Sequence, residues 1–194
     1  MAPLALAGAI LLVTACSALL IPLLLDVKEK RLWVQHTYEV LAELDTIYTG
    51  IVDAETGQRE FLIARQDERL APYRAAVQAL PEATAKLPAL VRDNPAQVAR
   101  ARTLSQQVSE KLADISQSLQ QPRPATPLPQ QSTADAQRGA VLTAQIRETL
   151  QIMRREEQRL LASRSNALEQ VAPRSIAFAV GTLLLALLAL TAAG

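Results

Sequence analysis

The 194 residues contain one cysteine, one histidine, one tryptophan, two phenylalanines and three tyrosines. A single cysteine, Cys16, excludes an internal disulfide. A single histidine, His36, lacks the company that a metal site or a nucleophile–base triad requires, and it is read as a structural residue. No P-loop, glycine-rich dinucleotide fingerprint or paired-cysteine motif is present, so no catalytic site, cofactor or metal is expected within these residues. No β-branched alternating run of useful length occurs, which removes the usual signal for strands. The 20 Lys and Arg nearly cancel the 19 Asp and Glu, and no nucleic-acid footprint results.

Charge is absent from both ends. Residues 1–25 and 175–194 contain no Asp, Glu, Lys, Arg or His. An apolar run of about 20 residues suffices to cross the hydrocarbon core as a helix. Ala5–Leu25 and Ser175–Ala193 are therefore expected to be transmembrane helices, dividing the chain into 1–25, a domain over 26–173, and 174–194. A cleaved signal peptide would need a basic leading segment, which is lacking. Val13-Thr14-Ala15-Cys16 resembles a lipidation motif, yet apolar sequence continues to Leu25 where a lipoprotein would turn polar. Lys28, Lys30 and Arg31 follow the first run, but long domains translocate largely regardless of flanking charge, so charge alone leaves the orientation open.

Between the ends, Ala, Leu, Gln, Glu and Arg dominate, a composition of helix formers. A first helix is expected to continue from Asp26 to about Ala64, with a break near Arg65-Gln66-Asp67. Pro72 suits the first turn of a second helix, which Pro81 and Pro88 should kink or interrupt. Asn94-Pro95 reads as a cap followed by the first residue of a third helix. Its apolar face comprises Val98, Ala101, Leu104, Val108, Leu112, Ile115 and Leu119. Four prolines between Gln121 and Gln130 favour an extended connection. A fourth helix is expected from about Thr133 to Ala172, carrying Leu142, Ile146, Leu150, Met153, Leu160, Leu161, Leu168 and Val171, with Pro173 at its passage into the last apolar run. The first and fourth helices are long and the middle two short. The expected fold is all-α, an antiparallel four-helix bundle standing on two transmembrane helices.

One stretch breaks the pattern. A heptad seam runs through Val34, Thr37, Leu41, Leu44, Tyr48 and Ile51, and the same spacing lands next on Glu55 and Gln58 before Leu62. The segment Asp53-Ala54-Glu55-Thr56-Gly57-Gln58-Arg59 is thus polar where packing calls for Leu or Ile. Gly57 adds a helix penalty of about 1 kcal/mol relative to Ala. Two readings stand. As a hinge and polar lock, Glu55 and Arg59 pair across one turn. As a ligand site, Arg59 holds a carboxylate or phosphate and Gln58 adds a hydrogen bond. If the first and fourth helices run antiparallel from a common plane, Glu55 and Arg59 face residues 140–144 and onward through Glu148. Gln145, Arg147 and Glu148 are then the expected partners, and Glu156 and Glu157 lie too far away. Gly50 and Gly57, one heptad apart, mark a face where helices can approach.

His36–Leu44, Val52–Arg59, Phe61-Leu62 and Leu70–Arg74 resemble the type-three CHASE domain, an extracytoplasmic helical sensor module of bacterial receptors. Ile146–Leu150 and Met153–Leu161 are similar to that family's last helix. Glu60 stands where such domains often have glycine, and the proline-rich segment replaces helical or charged sequence. The resemblance implies that residues 26–173 are periplasmic or extracellular and that the chain sits in a bacterial inner membrane as a homodimer. It also implies an unknown small-molecule or protein ligand and a downstream cytoplasmic transmitter, of which a histidine kinase is one type. No transmitter is found in these residues. A membrane-anchored helical scaffold or partner-binding protein is the alternative.

Overall fold

The computed structural model describes residues 2–120 and 133–193. They form four α-helices, and no strand occurs among the described residues. Helix α1 spans Ala2–Ala64, α2 Ala71–Leu90, α3 Pro95–Gln120 and α4 Thr133–Ala193, with a short 3-10 turn at Asp67–Leu70. The proline-rich segment expected over 121–130 lies outside the described residues.

Local signals account for the boundaries. Helix α1 ends where Arg65 takes a left-handed conformation (φ 58°) and donates its N–H to the Phe61 carbonyl at 2.9 Å. Gln66 is extended, which separates α1 from the 3-10 turn. Pro72 occupies the first turn of α2, where its missing N–H costs nothing. Asn94 caps α3: its Oδ1 accepts from the Gln97 N–H at 3.2 Å.

Two expectations need correction, and a third finds no support. Pro81 and Pro88 do not interrupt α2, which is continuous from Ala71 to Leu90. Pro81 is exposed, and so is Val77, whose carbonyl it deprives of a helical partner. Pro173 likewise sits inside the continuous helix α4. Finally, no helix among the described residues is long and apolar enough to cross a membrane, so the spans expected over Ala5–Leu25 and Ser175–Ala193 find no support there.

The chain divides into two compact units: Met1–Thr37 with Arg159–Gly194, and Tyr38–Gln158. The buried apolar core belongs to the second. Helix α1 supplies Val40, Leu44, Ile47, Ile51 and Ala54; α2 supplies Ala76, Leu80, Ala83 and Leu87, with Val91 just beyond its end. Helix α3 adds Ala101, Leu104, Val108 and Ile115, and α4 adds Ile146, Leu150 and Met153. The sets recur at spacings of three, four or their sum of seven, the period that keeps one helical face on the core.

The seam on α1 differs in phase from the heptad reading. Thr37, Leu44 and Ile51 are buried as expected, but the alternate positions are Val40, Ile47 and Ala54, not Leu41, Tyr48 and Glu55. Adjacent helix positions lie about 100° apart, so a bundle-facing stripe wide enough for three neighbours includes both choices at its edges. Tyr48 stays 41% exposed. Glu55 therefore does not fill a core position. Ala54 does, and Glu55 stands beside it.

Candidate functional site

The polar stretch on α1 separates into two faces. Asp53, Thr56 and Arg59 are exposed; Gly57 is buried, and Glu55 and Gln58 are half-buried. The i,i+4 pairing of Glu55 with Arg59 is not formed. The Glu55 carboxylate instead points to α3 and α4.

Lys111 Nζ on α3 is 2.9 Å from Glu55 Oε1. Only 5% of the lysine side chain and 20% of the glutamate side chain are exposed. The same Nζ donates to the Gly139 carbonyl of α4 at 3.1 Å. Thr143 on α4 donates its hydroxyl to Glu55 Oε1 at 2.5 Å and lies 3.0 Å from the Gly139 carbonyl. One ammonium, one carboxylate, one hydroxyl and one carbonyl thus satisfy one another across three helices. Burial works to raise the Glu55 carboxyl, but the Thr143 hydroxyl, the hydrogen bond and charge of Lys111, and the charge of Arg147 together hold it below its ordinary value.

Of the partners expected on α4, Arg147 acts on Glu55 through its charge alone. Gln145, Arg147 and Glu148 are all exposed. Thr143, within the stretch expected to face Glu55, makes the direct contact. The second half-buried motif residue also reaches α3: Gln58 donates its amide to the Ser118 hydroxyl, and that hydroxyl donates to the Ile115 carbonyl at 2.8 Å.

Gly57 has a different task. A Cβ built there would lie 2.9 Å from the Tyr73 backbone nitrogen and 3.2 Å from the Arg69 carbonyl oxygen. Gly50 is close to a side chain instead, with Leu80 Cδ2 at 2.8 Å from its built Cβ. Both glycines therefore let α2 and the preceding turn of the same chain approach α1, and the face they mark is occupied within the chain.

A second buried polar set joins α3 to α4. Gln97, fully buried, donates to the Met153 carbonyl and to Glu157 Oε1, both at 3.1 Å. Arg100 donates to Gln97 Oε1 at 3.1 Å, and Asn94 donates to Glu156 Oε1 at 3.4 Å. Arg154 pairs with Asp45 on α1, in the open. Glu156 and Glu157 are thus engaged with α3, away from Arg59.

In the unit of 1–37 and 159–194, the Arg164 guanidinium lies over the Trp33 ring, 4.6 Å from its centroid. It donates to the Thr37 hydroxyl at 2.6 Å. His36 meets the same ring edge-on at 5.7 Å. A cavity of about 210 Å³ is lined by Lys30, Trp33, Arg164 and Ala167.

Sequence reasoning missed Lys111, Gln97 and Glu157. All three carry a readable signal, because each occupies a core-spaced position: Gln97 precedes Ala101 and Leu104, Lys111 falls between Val108 and Ile115, and Glu157 follows Leu150 and Met153. Reading Leu112 in place of Lys111 as the face residue hid the lysine. Leu112 is only partly buried.

Chemically, the Lys111 ammonium and the Glu55 carboxylate balance each other's charge within the packed unit. Among the described residues, no group of three or more His, Cys, Asp or Glu gathers to hold a metal ion.

The CHASE3 domain family matches residues 30–167, well over half of the chain. No curated protein and no solved structure matches it.

Proposed function

The chain belongs to the CHASE3 domain family, and we propose that it is the sensory input region of a bacterial receptor, most simply a two-component sensor histidine kinase. CHASE3 domains are extracytoplasmic sensor domains of signal-transduction receptors. The observation that carries the reading is the family match over residues 30–167, which covers the packed unit and parts of the segments flanking it. Attachment to the inner membrane draws its support from the uncharged sequence at 1–25 and 175–194.

In this reading the four helices form an antiparallel bundle. Asp45 meets Arg154 and Glu55 meets Thr143, so partners ascend along α1 as they descend along α4. That arrangement supports coupling between the two long helices. A ligand, a partner protein or a change in the bilayer would alter how α4 packs against α1, and α4 would carry the change toward a cytoplasmic transmitter. A homodimer would place two such bundles side by side.

Two measurements test this. The first is topology: Ile63 is 78% exposed, so Ile63→Cys in a Cys16→Ala background should react with a membrane-impermeant thiol reagent in intact cells. Protection in intact cells with labelling only after lysis rejects the extracytoplasmic placement. The second is coupling: joined in frame to a histidine-kinase transmitter, residues 1–194 should set its basal output. Output unchanged after deletion of 38–158 favours a scaffold instead.

A further inference from the structure

We infer that Lys111, Glu55 and Thr143 form a latch that fixes the axial register of α1 against α3 and α4. The latch is needed because the apolar seam alone cannot choose a register. Along α1, Val40, Ile47 and Ala54 are seven residues apart, as are Leu44 and Ile51. Along α4, Ile146, Met153 and Leu160 repeat at the same interval. A slip of seven residues, about 10 Å of helical rise, lays apolar side chains on apolar side chains again. Apolar burial is non-directional and scales with area, so it separates such registers poorly.

The latch is directional. Lys111 is buried, with Nζ 2.9 Å from the Glu55 carboxylate and 3.1 Å from the Gly139 carbonyl. A slipped α1 would carry Glu55 away and leave the lysine charge buried without its counter-charge, a costly state. Thr143 binds the same carboxylate oxygen from α4, so the one group on α1 holds α3 and α4 together. Gln58, one turn further along, repeats the attachment to α3 through Ser118. Polar groups at single core positions set register in coiled coils in this way, at a cost in stability.

Four neighbouring features complete the surroundings. Arg147 lies close enough to act on Glu55 by its charge. Asp114, one turn along α3 from Lys111, has Oδ2 near the same Gly139 that accepts from the lysine. Gln97 and Glu157 fix α3 against α4 without involving α1. Asp45 and Arg154 link α1 to α4 through exposed side chains, a contact that adapts readily. Within the unit of 38–158, the burden of placing α1 against α3 and α4 falls on Glu55 and Gln58 with their partners, while Gly57 seats α1 against the start of α2. On the sensor reading, any signal that moved α4 along α1 would have to break this latch first.

Short thiol cross-linking in the full chain, with Cys16→Ala, tests the inference. Asp45→Cys with Arg154→Cys reports the observed register; Asp45→Cys with Arg147→Cys reports a seven-residue slip. With the latch intact, the first pair should cross-link at least about tenfold more than the second, the ratio that a register difference of 1.4 kcal/mol produces. Replacing the latch by apolar groups (Glu55→Leu, Lys111→Met and Thr143→Val together) should retain helix content and bring the two yields within about threefold of each other. An unchanged yield ratio in the apolar variant overturns the latch. Should that variant fail to fold, a thermal double-mutant cycle of Glu55→Gln and Lys111→Met decides: non-additive losses support the latch, and additive losses overturn it. These experiments read the fold alone, so their failure would leave the sensor reading standing, and failure of the sensor reading would leave the latch standing.

Discussion

Two regions of this molecule hold a cation against helix α1, and the contacts that hold it differ. In the unit of 1–37 and 159–194, Arg164 rests on the face of Trp33 and donates to the hydroxyl of Thr37. In the unit of 38–158, Lys111 meets a carboxylate, and both are withdrawn from water. A guanidinium is weakly hydrated and stacks readily, so an arginine can be held by an aromatic face at a half-open site. An ammonium is strongly hydrated and needs a full counter-charge once buried. The difference teaches where α1 tolerates change. Loss of the Trp33 contact removes an attraction, whereas loss of Glu55 creates a stranded charge.

The sharpest way to break the comparison is to remove one member of each pair. Glu55→Leu should cost about 3 kcal/mol, the range for leaving a buried ion without its partner. Trp33→Ala, by contrast, should cost no more than about 1 kcal/mol through the lost cation–π contact, because Arg164 keeps its hydroxyl partner. Urea denaturation of both variants measures the gap. Equal losses would mean that burial of Lys111 is relieved by local rearrangement.

Gly57 and Gly50 sharpen the same contrast between rigid and adaptable surroundings. Gly57→Ala drives a methyl into the backbone of Tyr73 and Arg69, which shift only if the start of α2 moves. The expected loss is about 2 kcal/mol, within the range for overpacking. Gly50→Ala meets the Leu80 side chain, whose Cδ atoms can rotate aside at part of that cost. Its loss should be the smaller, because both alanines gain helix propensity of about 1 kcal/mol while only the Gly57 methyl meets backbone. Thermal melts of the two variants give the order.

The sequence carried much of this, though unevenly. Asn94-Pro95, Pro72 and the break at Arg65 act through their own backbone chemistry, so they were readable without a neighbour. The facing of Glu55 toward residues 140–144 followed from helical rise alone and found Thr143. Lys111 was not found, because nothing in α3 by itself reveals that a carboxylate waits across the core. Leu112 beside it is apolar and looked the better core residue. Tyr48 and Glu55 were placed on the seam for a related reason: a strict heptad fixes two positions per turn pair, and a bundle stripe admits a third. Which of the three lies innermost is decided by neighbouring helices. The role of Gly57 as a seat for Tyr73 was equally invisible, being a matter of tertiary approach.

Acid provides a graded version of the Glu55 test. The carboxyl of Glu55 is held below its ordinary value in the folded chain, against about 4.3 for an unperturbed glutamate. A lowered folded value means that the unfolded chain binds the proton first. The stabilisation is therefore complete above the unfolded value and disappears as pH falls through the folded one. Glu55→Gln should be clearly less stable than the parent at pH 7, and the difference should shrink steadily as pH is lowered below about 4.3. A difference independent of pH would show that the carboxylate charge does not carry the effect.

The smallest effects belong to the exposed charges, and their smallness is informative. Asp45–Arg154 is an open pair with side chains 62% and 38% exposed. Such pairs contribute about 0.2–1 kcal/mol, reduced further by salt. Arg59 is exposed on the outer face of the motif, so Arg59→Ala should change stability by no more than about 0.5 kcal/mol. That near-silence makes Arg59 the cleanest probe of the motif's outward face. If Arg59→Ala leaves the melting curve unchanged yet alters the output of a kinase fusion, the outward face of Asp53, Thr56 and Arg59 contacts a ligand or partner. If both stay unchanged, the motif's work is done entirely on its inward side, by Glu55, Gly57 and Gln58.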